Sequence, residues 1–202
     1  MDITFQDFKK KSHISANYNK PNLFKEEGVD HINISSQSKL KLGRFLDPGY
    51  CHNFEYPYVG EFKSALSLGY WLRSKDMDDR IRKLGGHKLK KYVADNNLYN
   101  RRIANYTAII ANAVWLRVKD RAEVIEAIKE LDPKLDILSY YTHKNSGIRI
   151  TTNYAPMVVA IASEIVKAVK EDREPDFIQF ATNKHNIGMA FLEAVIGDRL
   201  NK

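Results

Sequence analysis

Between residues 42 and 92 the chain gathers the side chains that could recognise an anionic, aromatic ligand. It combines a turn-rich aromatic loop, an aromatic-ended helix and a basic, glycine-punctuated segment. The aromatics from Tyr50 to Tyr58, with Tyr70 and Trp71, have faces that can stack on a base. Gly85 and Gly86, followed by His-Lys-Leu-Lys-Lys, could offer backbone N–H groups, a helix N-terminus and cations to a phosphate. Each feature also has an ordinary alternative. Aromatics at such spacing serve as core, Trp71 above all, and paired glycines end a helix ahead of a solvated basic face.

Other chemistries find little material. The six histidines (His13, His31, His52, His87, His143, His185) are scattered singly, with no His-x-x-x-His pair and no carboxylate cluster beside them, so no metal site is expected. Neither a Gly-x-Ser-x-Gly elbow nor a Walker loop is present. Cys51 is the only cysteine, which rules out an internal disulfide and suits a reducing compartment.

The elements that must position the 42–92 stretch follow from periodicity. Residues 1–27 read as an arm or extension, and 28–202 as one domain, which is the prior for 202 residues. His31 to Ser36 alternates as a half-buried strand, and Asp47, Pro48 and Gly49 signal a turn. Helices are expected over 62–74, capped by Ser64, and over 76–84, ending at Gly85 or Gly86. Further helices are expected over 103–118, 120–131, 156–171 and 186–200. A hairpin is expected from 137–141 and 148–152, and a short strand over 177–180. The class is therefore α+β, a helix-rich domain with a small sheet.

Charge points the same way as the motifs. The net charge is +7, and residues 73–91 carry eight basic side chains against three acids, so the remainder is nearly balanced. An anionic partner is favoured. No run reaches the roughly 18 apolar residues that span a bilayer, and the first residues lack a signal-peptide core. A cytoplasmic location is expected.

Ordered segments of the chain, over roughly residues 28 to 170, resemble the NADAR (YbiA-like) superfamily, in particular the versions found in tailed phages. The segments are Gly28 to Ile34, Leu42 to Leu46, then Gly60, Phe62 and Ser64 leading to Tyr70–Leu72, and Ile81 to Lys91. The resemblance implies a NADAR-like α+β fold with a place for an ADP-ribose or NAD-derived ligand, in enzymes that cleave an N-glycosidic bond. Such cleavage builds positive charge on the ribose, which a carboxylate stabilises. In the family that carboxylate is the Glu of a Ser-Val-Glu, and here Ser64, Ala65 and Leu66 stand in its place. The family's Ser-Asn-Phe loop is replaced by Asp47, Pro48 and Gly49.

Leucine has no proton to give or take. The leading expectation is therefore a non-catalytic or weakly catalytic binding protein, a counter-defence or regulatory factor in a host cytoplasm if phage-encoded. Arg44, Lys88, Lys90 and Lys91 are expected to face the phosphates, with Ser64 at the helix entry and Tyr50, Tyr70 or Trp71 against the base. The alternative is an N-glycosidase in which Asp47 or Glu55 supplies the carboxylate. A third reading, of another class, makes the basic 73–91 segment a contact surface for nucleic acid or a host protein. No metal or cofactor enters any of them.

Overall fold

The computed structural model describes residues 21–98, 103 and 105–181. The first twenty residues of the expected arm, and the closing helix expected over 186–200, lie outside the described residues.

From a short 3-10 turn at Pro21–Leu23 the chain enters β1 (His31–Asn33) and then α1 (Lys41–Leu46). A tight hairpin of β2 (Phe54–Tyr56) and β3 (Gly60–Phe62) leads into α2 (Ala65–Arg73). Beyond it lie two 3-10 turns, Lys75–Met77 and Asp79–Lys83, then α3 (Gly86–Asp95), α4 (Tyr106–Val118) and α5 (Ala122–Lys129). The chain continues through β4 (Asp136–Leu138), β5 (Tyr141–Thr142), β6 (Arg149–Ile150) and α6 (Ala155–Lys170) to a 3-10 turn at Ile178–Phe180. Among the described residues this is an α+β, helix-rich fold whose strands form three two-stranded ladders.

The central helix is α4, against which α1, β2, α2 and α6 all pack. Alanines at 108, 111 and 113 keep its buried face narrow, with Ile109, Ile110, Val114 and Val118 filling between. Gly69 of α2 carries this further. A Cβ there would come within 2.8 Å of the Ile110 and Tyr106 side chains, so the two helices meet at the glycine. The entry to α2 is fixed locally by a capping box. Ser64 accepts from the Ser67 N–H, and the Ser67 hydroxyl accepts from the Ser64 N–H.

The ladder between β1 and β4 is parallel, with Ile32 opposite Ile137. His31 secures it from within: its ring is wholly buried, with Nδ1 2.7 Å from the Asp30 carboxylate and Nε2 2.7 Å from the Tyr140 hydroxyl. Because a carboxylate only accepts, Nδ1 is the donor, and in the neutral ring Nε2 accepts from the tyrosine. At the other end of β1, Gly43 of α1 lies against the Asn33 carbonyl and the Ser38 side chain.

Three sequence expectations are corrected. Residues 76–84 do not form one helix, because Asp76 and Met77 take left-handed backbone angles (φ 58° and 50°) that divide the segment into two 3-10 turns. The expected 137–141 and 148–152 hairpin is split. Its first half, β4, pairs with β1, leaving only Tyr141–Thr142 against Arg149–Ile150. Residues 177–180 are a helical turn rather than a strand.

Gly43 generates a test. In an exposed helix, alanine would stabilise by about 1 kcal/mol, but here the new Cβ collides with a backbone carbonyl. Gly43→Ala is expected to lower stability by about 2 kcal/mol or more in urea denaturation.

Candidate functional site

The last turn of α1 and the loop after it are held by one side chain. Arg117, on the otherwise apolar α4, is 2% exposed and donates to the carbonyls of Phe45, Asp47 (2.8 Å) and Tyr50 (3.1 Å). Burial pulls its pKa down to about 10, so it stays charged at neutral pH. With the Tyr50 N–H bonded to the Asp47 carbonyl, these contacts fold residues 45–50 into a closed turn.

Asp47 is the acid inside that turn. Its Oδ1 accepts from the Gly49 N–H at 3.0 Å. Burial raises its pKa above the ordinary value, an effect opposed by the Gly49 and Ser36 N–H groups and by the charges of Arg117 and Lys90. Leu66 lies against the same turn. Its N–H donates to the Pro48 carbonyl at 3.0 Å, and a Cβ on Gly49 would be 3.4 Å from Leu66 Cδ1 and 3.5 Å from Asp47 Oδ1. The carboxyl of Asp47 thus stands close to the Leu66 side chain, both flanking Gly49.

The next residue of the loop reaches the start of α3. A Cβ on Gly85 would collide with Cys51 Sγ and lie 3.1 Å from Lys63 Cγ, so the loop, Lys63 and the glycine pair form one junction. Gly85 is the N-cap of α3 and Gly86 begins it at φ +53°, a left-handed angle that glycine adopts freely. The pair therefore opens a helix; the expected C-cap at Gly85 or Gly86 is not found. Leu89 and Val93 bury one side of α3, and the Lys88 and Lys90 side chains are exposed without an ion-pair partner among the described residues. Lys91 pairs with Asp95 at 3.3 Å.

The arginines of the basic segment are used differently. Arg82 lies over the rings of Phe62 (4.8 Å) and Trp71 (4.5 Å) and pairs with Asp79 at 2.8 Å. Arg80 grips the Asp78 carboxylate, and Arg73 covers the Tyr106 ring at 3.8 Å.

Of the expected site residues, Asp47 lies beside Leu66 and feels the charge of Lys90, Lys88 stands on the same helix start, and Tyr50 turns away toward Phe45 and His52. Arg44 is occupied in binding the carbonyls of Ser38 (2.7 Å) and Lys39 (3.1 Å). Ser64 is buried as the α2 cap. Tyr70 is buried at the end of α2. Trp71 is 0% exposed, edge-on to Phe62, with its Nε1 donating to Asp79 at 3.1 Å, which makes it a core residue and not a platform for a base. Glu55 is exposed on β2 directly opposite Glu61, on the side of the hairpin away from its buried partners Phe54 and Tyr56. Arg117 and His52 were missed. The available signal was an arginine three residues after Val114, on the buried side of a nearly uncharged helix.

No family model, no curated protein and no solved structure matches the chain. Among the described residues no group of three His, Cys, Asp or Glu is placed to hold a metal ion, and no helix is long and apolar enough to cross a membrane.

Two tests follow. Arg117→Met removes the donor from three carbonyls and is expected to cost about 3 kcal/mol or more in denaturant unfolding. Arg117→Lys, which keeps charge but not the fork, falls between. For Asp47 the folded pKa lies above the unfolded one. Its stabilising contribution is full below the ordinary value of 3.8 and is lost as pH rises through the folded value. Asp47→Asn, which retains an acceptor for the Gly49 N–H, should therefore melt above wild type at pH 8 and lose that advantage at pH 4.

Proposed function

We propose that the chain binds a nucleotide of the ADP-ribose or NAD-derived type where the Asp47–Cys51 loop meets Leu66 and the start of α3. The observation that carries this reading is the junction itself. A closed turn with an interior carboxyl abuts a glycine-opened helix start, and Lys90 of that helix is close enough to act on Asp47. Unpaired lysines and free helix N–H groups suit phosphate oxygens, and a carboxyl suits ribose hydroxyls. The resemblance of the surrounding segments to NADAR proteins supports the choice of ligand. Binding without rapid turnover is the reading for a site with leucine at the glutamate position, and sequestering such a ligand in a host cytoplasm is a role consistent with it.

Weak N-glycosidase activity is the second reading, favoured by one observation: Asp47 is next to Leu66 and burial pushes it toward its protonated form. A protonated carboxyl can donate to a departing base. Asp47 is better placed for this than Glu55. The interaction-module reading gains less support, since the arginines of the 73–91 segment are held by Asp78, Asp79 and aromatic rings.

Isothermal titration with ADP-ribose, NAD and cyclic ADP-ribose is expected to give heat with at least one, and affinity about tenfold lower for Lys88→Glu/Lys90→Glu. No heat with any of the three removes the reading. Chromatography of the same mixtures distinguishes the two versions: free base released by wild type, and lost in Asp47→Asn, establishes turnover.

A further inference from the structure

The loop that carries Asp47 has a second side. Cys51 faces Gly85 and α3, whereas Tyr50 and His52 face Phe45, the last aromatic of α1. The Tyr50 and His52 rings are parallel within 7°, with centroids 6.3 Å apart, and both are half-buried. Phe45, 3% exposed, tilts against each of them at 5.3 and 5.0 Å and so backs the pair from the protein side.

Cations surround these rings. The Arg121 guanidinium and the Lys41 ammonium lie 5.3 and 5.7 Å from the Phe45 centroid. Arg121 uses Nε to bond the Arg117 carbonyl at 3.0 Å, and its two terminal nitrogens have no hydrogen-bond partner among the described residues. Lys41 is shared with Glu123 at 3.4 Å. Burial, together with the charges of Arg121, Arg117 and Lys63, holds the His52 pKa below its ordinary value, which favours the neutral imidazole.

We infer that Tyr50 and His52, backed by Phe45 and flanked by Arg121, form a stacking site for a flat aromatic ring that carries a phosphate. A parallel ring pair offers faces to a base, and a guanidinium with open donors offers a fork to phosphate oxygens. The neutral imidazole stacks without adding another cation to desolvate. Only the identity of the ligand rests on the reading above. The residues are others, on the opposite side of the loop from Leu66 and Gly85.

The probe is adenosine 5′-monophosphate, with adenosine and ribose 5-phosphate as its halves. Wild type should bind the monophosphate more tightly than either half, and the His52 imidazole C–H resonances should move upfield as the base stacks. Loss of a stacking partner removes roughly 5- to 100-fold in affinity, expected for His52→Ala and for Tyr50→Ala. His52→Phe, which keeps a flat ring, should bind within about threefold of wild type. Circular dichroism melts check that each variant is folded. Arg121→Gln should weaken the monophosphate and leave adenosine unchanged.

The inference is overturned if wild type does not bind the monophosphate, or if folded His52→Ala and Tyr50→Ala bind it undiminished. It is equally overturned if only a longer oligonucleotide binds, with steep salt dependence. The two readings separate cleanly. ADP-ribose binding that depends on Lys88 and Lys90 but not on His52 sinks this inference alone. Monophosphate binding that depends on His52 while ADP-ribose gives no heat sinks the other.

Discussion

Three backbone carbonyls around the end of α1 converge on the guanidinium of Arg117, and both sides of the neighbouring loop owe their shape to that convergence. The last carbonyls of any helix lack partners within it. Here the Phe45 carbonyl of α1 is satisfied from a neighbouring helix, and the same fork on α4 takes the Asp47 and Tyr50 carbonyls of the loop that follows. Burying a charge costs several kcal/mol unless it is hydrogen-bonded, and Arg117 uses its two terminal nitrogens on the loop that it shapes, while its buried Nε has no partner among the described residues. Lysine presents donors from one point and cannot span carbonyls on three residues in the same way.

That arrangement works only because α4 runs through the middle of the protein. Its small residues let α2 come close at Gly69, and α1 in turn approaches β1 closely at Gly43. Asp47 and its neighbours are therefore placed by packing that begins two elements away. Alternation along the loop then divides it, sending Cys51 toward the start of α3 and Tyr50 and His52 toward Phe45. One short segment thus has two unlike surroundings, one with a carboxyl and lysines and one with rings and a guanidinium.

Much of this order was legible in the sequence where local rules act alone. The Ser64 cap and the apolar period after it placed α2, and Pro156 marked the start of α6. Asp47, Pro48 and Gly49 were recognisable as a turn. What stayed hidden depended on distant partners. Ile137 and its neighbours have the composition of a hairpin strand, yet β1 takes them, because a buried parallel pairing is available only in three dimensions. Gly85 looked like a stop because the helix before it looked continuous. Two left-handed residues, Asp76 and Met77, broke that helix and made the glycine a beginning. Trp71 had the composition of a ligand platform, but its ring is consumed by Phe62 and Arg82. Arg117 was readable only as a charge out of place.

The parallel pairing of β1 with β4 also bears on how the chain reaches this state. His31 and Tyr140, which meet across it, are 109 residues apart in sequence. At roughly 5–20 residues per second, a ribosome needs about 5–20 s to synthesise the partner that β1 requires. During that interval the two strands of the β2–β3 hairpin can already pair with each other, while β1 lacks its ladder partner and the His31 imidazole has only the adjacent Asp30. Closing so long a loop is also a slow step in refolding. The edge of β1 therefore waits longer for its ladder partner than the β2–β3 hairpin does, and it is the edge a chaperone would have reason to cover.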